Sequence, residues 1–212
     1  MLVDGPVIET AEGPAPYNRS TFDGTFTEMR GLIHISPDGR SATLLREVPT
    51  YNYHRKSNDS PGGDLITFSP TLSVAVTENR VCFGRGATYE IQCSNSAGAL
   101  TMIVRRDMPP SPVTARAKAD YRQKVRTQEP TPEHNAMPPA RLDAIAANAH
   151  FAATFPTCDR IMAGANGELW VSDYSYASHT RANCEPAPRG DITRWNVFAR
   201  DGTWSAAIAL PT

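Results

Sequence analysis

No apolar run in this chain of 212 residues approaches the roughly 20 needed to cross a bilayer as a helix. The opening residues, Met1-Leu2-Val3-Asp4-Gly5-Pro6, lack the basic and apolar regions of a secretory leader. An excess of one charge is missing too: 21 Lys and Arg stand against 22 Asp and Glu, a formal net charge of −1. That balance leaves no electrostatic footprint for nucleic acid or an anionic membrane surface. No G-x-S-x-G, P-loop, G-x-G-x-x-G or H-E-x-x-H motif occurs, which removes the commonest signatures of catalysis. A metal site assembled from separate loops is untouched by that absence.

Cysteine is scarce. The four, Cys82, Cys93, Cys158 and Cys184, include no C-x-x-C pair of the zinc or redox kind. An even number permits two disulfides and an oxidising compartment; buried free thiols are the alternative for Cys82 and Cys93. Proline and glycine, by contrast, are plentiful, with 18 and 14 residues punctuating the chain.

Between those breaks, three segments share one pattern: a β-type run, a polar turn ending in glycine, and a second apolar run. They are "LIHISPDGRSATLL" (Leu32 to Leu45), "YEIQCSNSAGALTMIV" (Tyr89 to Val104) and "WNVFARDGTWSAAIAL" (Trp195 to Leu210). Each reads as a hairpin, with Gly39, Gly98 and Gly202 supplying the positive φ of a tight turn. Further hairpins precede the second and third copies, "LSVAVTENRVCFG" around Glu78-Asn79 and "DRIMAGANGELWVSD" around Asn166-Gly167. The second and third copies thereby become four-stranded meanders. The first reads as the outer half of such a unit. An isolated hairpin is barely stable, so the recurrence predicts an array of sheets, of the kind a β-propeller builds.

Two helices interrupt the β pattern. In "PPSPVTARAKADYRQKVRTQ" the apolar residues Val113, Ala117, Tyr121 and Val125 recur every fourth position, with Ser111 or Thr114 as the cap. "ARLDAIAANAHF" follows a proline-rich link. The predicted division is a partial blade over 1–48, a blade over 71–106, the helical insertion over 108–156, and a blade over 157–211. A third reading of the chain, beside a binding module and a hydrolase, is a scaffold whose insertion docks a partner through Tyr121 and Val125.

Sorting the connections by side is informative. In a four-stranded meander the first and third turns lie at one end, the second turn and the link to the next sheet at the other. The tight turns at Gly39, Glu78-Asn79, Gly98, Gly167 and Gly202 fall in the first group. The long segments Tyr51 to Ser69, Met108 to Pro156 and Tyr174 to Thr193 fall in the second. Long connections on a rigid scaffold carry binding or catalysis. That end is the expected working face.

The segment "TYEIQCSNSAGALTMIVRRDMPPSPVTARAKADYRQKV" resembles bacterial six-bladed β-propeller proteins of the TolB-like and NHL-like kind. "GELWVSDY" followed by "WNVFARDGTW" is similar to their next blade. The likeness covers Leu72 to Leu210, and more weakly Leu32 to Leu45. It implies an all-β propeller, here about two and a half blades, in the periplasm or outside the cell. With so few blades, the ring would be completed by missing blades, this chain being a fragment, or by self-association. The implied function is binding of a small molecule, a glycan or a protein. The alternative is a calcium-dependent lactonase or esterase with carboxylates such as Asp159 and Asp173 at the central channel.

Candidate contacts follow from the aromatic and cationic residues on the decorated side. "TYNYHRKSND" offers Tyr51, Tyr53, His54 and Arg55; "DYSYASHTR" offers Tyr174, Tyr176, His179 and Arg181. Tyrosine with Arg and His suits a sugar or peptide surface. The same aromatics could instead pack the loops against each other. Cys158 and Cys184 fall on that side, so a disulfide pinning the loop between them is expected as one of two outcomes. Cys82 and Cys93 lie on neighbouring strands, and only direct opposition in register would let them bond. The five histidines, His34, His54, His134, His150 and His179, form no H-x-x-x-H pair and read as strand or solvated loop residues. Trp170, Trp195 and Trp204 read as packing between strands.

Overall fold

A computed structural model of the chain describes residues 7–9, 24–35, 38–55, 63–77, 80–127, 137–176 and 192–211. It is all-β with two helices, built as three separate four-stranded antiparallel sheets. The first contains β1 (Val7–Glu9), β2 (Gly24–Ile35), β3 (Ala42–Arg55) and β4 (Asp64–Leu65). The second contains β5 (Ser73–Thr77), β6 (Arg80–Gly84), β7 (Glu90–Ser94) and β8 (Leu100–Arg105). Helices α1 (Ala115–Arg126) and α2 (Pro139–Asn148) then precede the third, β9 (Cys158–Ala163), β10 (Leu169–Asp173), β11 (Ile192–Phe198) and β12 (Trp204–Pro211). Within every sheet the spatial order follows the chain order.

The second and third meanders match the expectation, and the turn glycines Gly39, Gly98, Gly167 and Gly202 all have positive φ (69°, 80°, 83° and 88°). The turn residues Glu78-Asn79 lie outside the described residues. The first sheet corrects the expectation of a half unit. Its long hairpin is the central pair, β2–β3, flanked by edge strands of three and two residues. Strands that short leave no alternation for a sequence pattern to register. Nor is Tyr51 to Arg55 part of a loop: it ends β3, paired with β2 down to Gly24↔Arg55. The strand persists because Thr25, Phe26 and Thr27 provide a β-prone partner opposite it, with Phe26 stacked on Tyr53 at 5.4 Å.

The sheets stack face to face in chain order, and the middle one is buried on both sides. Along β6 the pleat sends Val81 and Phe83 towards Leu32 and Val48 of the first sheet. It sends Cys82 the other way, with Ile91, Cys93 and Val104, onto Ile161, Leu169, Val171 and Phe198 of the third. That is why "VCF" is continuously apolar while outer strands alternate. Cys82 and Cys93 are direct register partners, Cα atoms 4.0 Å apart, and form a disulfide. Of the tryptophans, Trp195 is buried and Trp170 half-buried, but Trp204 on the last strand is 54% exposed, contrary to a packing role.

The insertion closes on itself. Thr114 caps α1, its Oγ1 accepting from the Ala117 amide at 3.1 Å. Val125 packs with Leu142 and Ala146 of α2, with Tyr121 against them. The apolar stripe that the scaffold reading would use to dock a partner thus packs on the chain's own second helix.

Candidate functional site

The elaborated segments converge on one end of the stack. The stretch after β4 bonds to the stretch after α2, the Thr67 amide donating to the His150 carbonyl (2.8 Å) and the Ala152 amide to the Thr67 carbonyl (3.0 Å). Beyond it, the Val113 amide donates to Ala153, and the Phe155 amide to Ser111. The Thr157 amide and hydroxyl both donate to the Gly86 carbonyl in the β6–β7 loop. At the far end lie the tight turns, where Gly98 approaches the Leu45 backbone and Gly202 the Met102 side chain.

Phe68 is the hub of this end. It is buried, with ring centroids of Tyr121, Phe151, Phe155 and Tyr176 5.2–5.7 Å away. Its φ of 61° is a conformation that bulky residues adopt only where packing compels it. Tyr176 donates from its hydroxyl to the Ala117 carbonyl at 3.0 Å, and Tyr174 stacks on Phe155 at 5.6 Å. Burial raises the Tyr174 phenol well above its ordinary range. These two tyrosines hold the insertion against the sheets. His179, Arg181 and Cys184 lie outside the described residues, and Cys158 is a buried free thiol.

The β3 candidates share one strand end but have separate environments. Tyr51 lies under the Arg30 guanidinium at 5.8 Å. Burial, ahead of the nearby Glu28 charge, raises the Tyr53 phenol. The His54 ring lies against His150, tilted by 31° with centroids 3.8 Å apart, and Arg55 is buried. Thr50, also buried, donates its hydroxyl to Glu28 Oε2 at 2.9 Å.

A cleft of about 320 Å³ opens between the first and second sheets, beside the β6–β7 loop. Its apolar lining includes Val48, Leu72 and Phe83, and its polar lining includes Arg46, Arg85 and Gln92. Arg85 was not apparent as a site residue from sequence, because it stands alone in a short loop. Its Nε donates to the Thr50 carbonyl at 3.3 Å and its Nη2 to Asn52 Oδ1. Arg46 lies over Phe83 at 5.7 Å and donates to Gln92 Oε1. Among the described residues neither guanidinium has a carboxylate within ion-pair distance. Desolvation lowers the Arg85 pKa, as it does for a cation held partly out of water. Glu47 and Glu90 also line the cleft, but Glu90 is bound by Arg105 at 2.7 Å and Gln92 at 2.7 Å.

Asp173 belongs to a different network. It accepts from Asn196 Nδ2 at 2.7 Å and lies 3.7 Å from both Arg106 and Arg194. Asp159 lies 3.8 Å from Arg160. Among the described residues no three His, Cys, Asp or Glu side chains are gathered as a metal site. Nor is any described helix long and apolar enough to cross a membrane. No family model matches the chain, and no curated protein is similar to it.

Proposed function

We propose that the chain is a binding module of a bacterial cell envelope, its sheets the blades of a β-propeller. Recognition lies at the elaborated end, in the cleft between the first two sheets. The ligand class is one with an anionic group on an apolar or sugar-like body. The blade reading draws support from three consecutive antiparallel meanders stacked face to face, with their long connections at one end. An extracytoplasmic location draws support from the Cys82–Cys93 disulfide, since such bonds persist where the surroundings are oxidising.

A single observation carries the ligand class: Arg85 is fixed by the Thr50 carbonyl and Asn52, yet faces no carboxylate among the described residues. A guanidinium pre-oriented by neutral acceptors keeps donors for an incoming carboxylate, sulfate or phosphate. Phe83, Leu72 and Val48 beside it give apolar contact area. Among the described residues that line the cleft none pairs a nucleophile with a base, and we read the cleft as a site that holds a ligand.

The test is calorimetric titration with matched uronate-containing and neutral oligosaccharides, and with acidic and amidated peptides. Binding should favour the anionic member of each pair. Arg85→Gln should weaken it about ten- to hundredfold, the loss expected for one charge-assisted hydrogen-bond pair. Equal affinity for neutral and anionic members, or an unaffected Arg85→Gln protein, would overturn the reading.

A further inference from the structure

Helix α2 builds a second concave site, apart from the cleft beside Arg85. Leu142 and Ala146 pack on Val125 of α1. Arg141, Ala144, Ile145 and Asn148, at the spacing of a single helical stripe, lie on another side of the helix. They form one wall of a cavity of about 340 Å³. The edge strand β4 supplies Asp64 and Leu65 to it, and Tyr121 of α1 lines it as well. The hydrogen bonds of Thr67 with His150 and Ala152 tie the stretch after β4 to the stretch after α2.

The polar side chains of this cavity have no partners of their own. Among the described residues, the Asp64 carboxylate and the Arg141 guanidinium make no ion pair, with each other or with any other group. Nor do the Tyr121 hydroxyl and the Asn148 amide make a hydrogen bond there. Helix stability does not account for Arg141. It sits in the first turn of α2, where a cation opposes the helix dipole, and no acidic residue shares that turn. Between the charges the lining is apolar: Leu65 is 50% and Ile145 39% exposed, and the small Ala144 leaves the wall open.

A cavity that holds both signs of charge without joining them is complementary to a ligand that carries both. The volume lies at the low end of the range for small-ligand sites. We infer that the cavity between β4 and α2 binds a free amino acid with an apolar side chain. Its carboxylate meets Arg141, its ammonium meets Asp64, and its side chain lies against Leu65 and Ile145. The Tyr121 hydroxyl and the Asn148 amide complete the polar set. The inference is independent of the ligand proposed for the Arg85 cleft.

The test is titration of the isotope-labelled intact chain with leucine, read from backbone amide shifts. N-acetylleucine, which lacks the ammonium, and leucinamide, which lacks the carboxylate, are titrated beside it. Leucine should shift the Leu65, Ile145 and Asn148 amides saturably and bind about tenfold tighter than either blocked form. Asp64→Asn should lower the leucine affinity to that of N-acetylleucine, and Arg141→Gln to that of leucinamide. Both side chains are exposed, so each variant should keep the wild-type melting temperature. Arg85→Gln should leave leucine binding unchanged. No saturable shift at the three amides up to the solubility limit of leucine would overturn the inference. Equal affinity for leucine and its blocked forms would do the same, as would shifts that vanish in Arg85→Gln.

Discussion

Cys82 on β6 and Cys93 on β7 stand directly opposite each other and are bonded inside the core between the second and third sheets. The bond closes a loop across the Gly84-Arg85-Gly86 segment that presents the cleft arginine, with a sequence separation of 11. Replacing both cysteines by alanine should cost about 2–4 kcal/mol, the stabilisation typical of a disulfide. Chemical denaturation of the double variant checks this. The intact protein, unfolded without reductant, should leave both residues unmodified by iodoacetamide, and labelling at both would contradict the assignment.

Asn196 is fully buried and links the two sheets by hydrogen bonds, donating to Asp173 and accepting from Arg106 Nη1 at 2.9 Å. Asn196→Ala removes both bonds and leaves two partly buried charged groups short of partners. A loss of about 1–3 kcal/mol is expected, read from urea unfolding. Asn196→Asp should not rescue it, because a carboxylate there faces Asp173.

Burial pushes the Cys158 thiol up to about 12 from an ordinary 9.0. The folded state therefore favours the protonated thiol, and its contribution is complete below pH 9. As pH rises from 9 towards 12 the unfolded chain ionises first, and that contribution is lost. Cys158→Ala should flatten the alkaline limb of the stability curve between pH 9 and 10, below the range where the raised Tyr89 and Tyr174 phenols add the same trend. In the native protein at pH 8, Cys158 should resist Ellman's reagent.

Gly86 has φ +74°, and a Cβ there would meet the Cys158 carbonyl oxygen at 2.3 Å. Since that carbonyl belongs to the backbone at the start of β9, it cannot swing aside. Gly86→Ala should cost roughly 1–3 kcal/mol in a thermal or urea melt, through positive-φ strain and that clash. At Thr114, whose hydroxyl caps α1, substitution by alanine should cost about 1 kcal/mol.

The regular hairpins were legible because turn glycines and strand alternation are local signals. Gly98 and Gly202 mark their turns, and Val113, Ala117 and Val125 mark a helix face that is indeed buried. What could not be read depends on contacts distant in sequence. Whether Cys82 meets Cys93 depends on a register that the β6–β7 loop does not reveal. Tyr51 to Arg55 read as loop because its strand partner, Thr25 to Thr27, lies a full hairpin away. The cleft was least visible of all. Arg85 becomes a candidate only when Thr50 and Asn52, more than thirty residues earlier, are seen to fix it.

The most direct test of recognition at the elaborated end is hydrogen–deuterium exchange with the anionic oligosaccharide or peptide that binds most tightly in calorimetry. The account predicts protection over 46–49 and 83–92, which line the cleft, and none at the turns 38–41, 95–99 and 199–203. Protection at those turns, with the cleft segments unchanged, would put the ligand at the wrong end of the molecule and contradict the account.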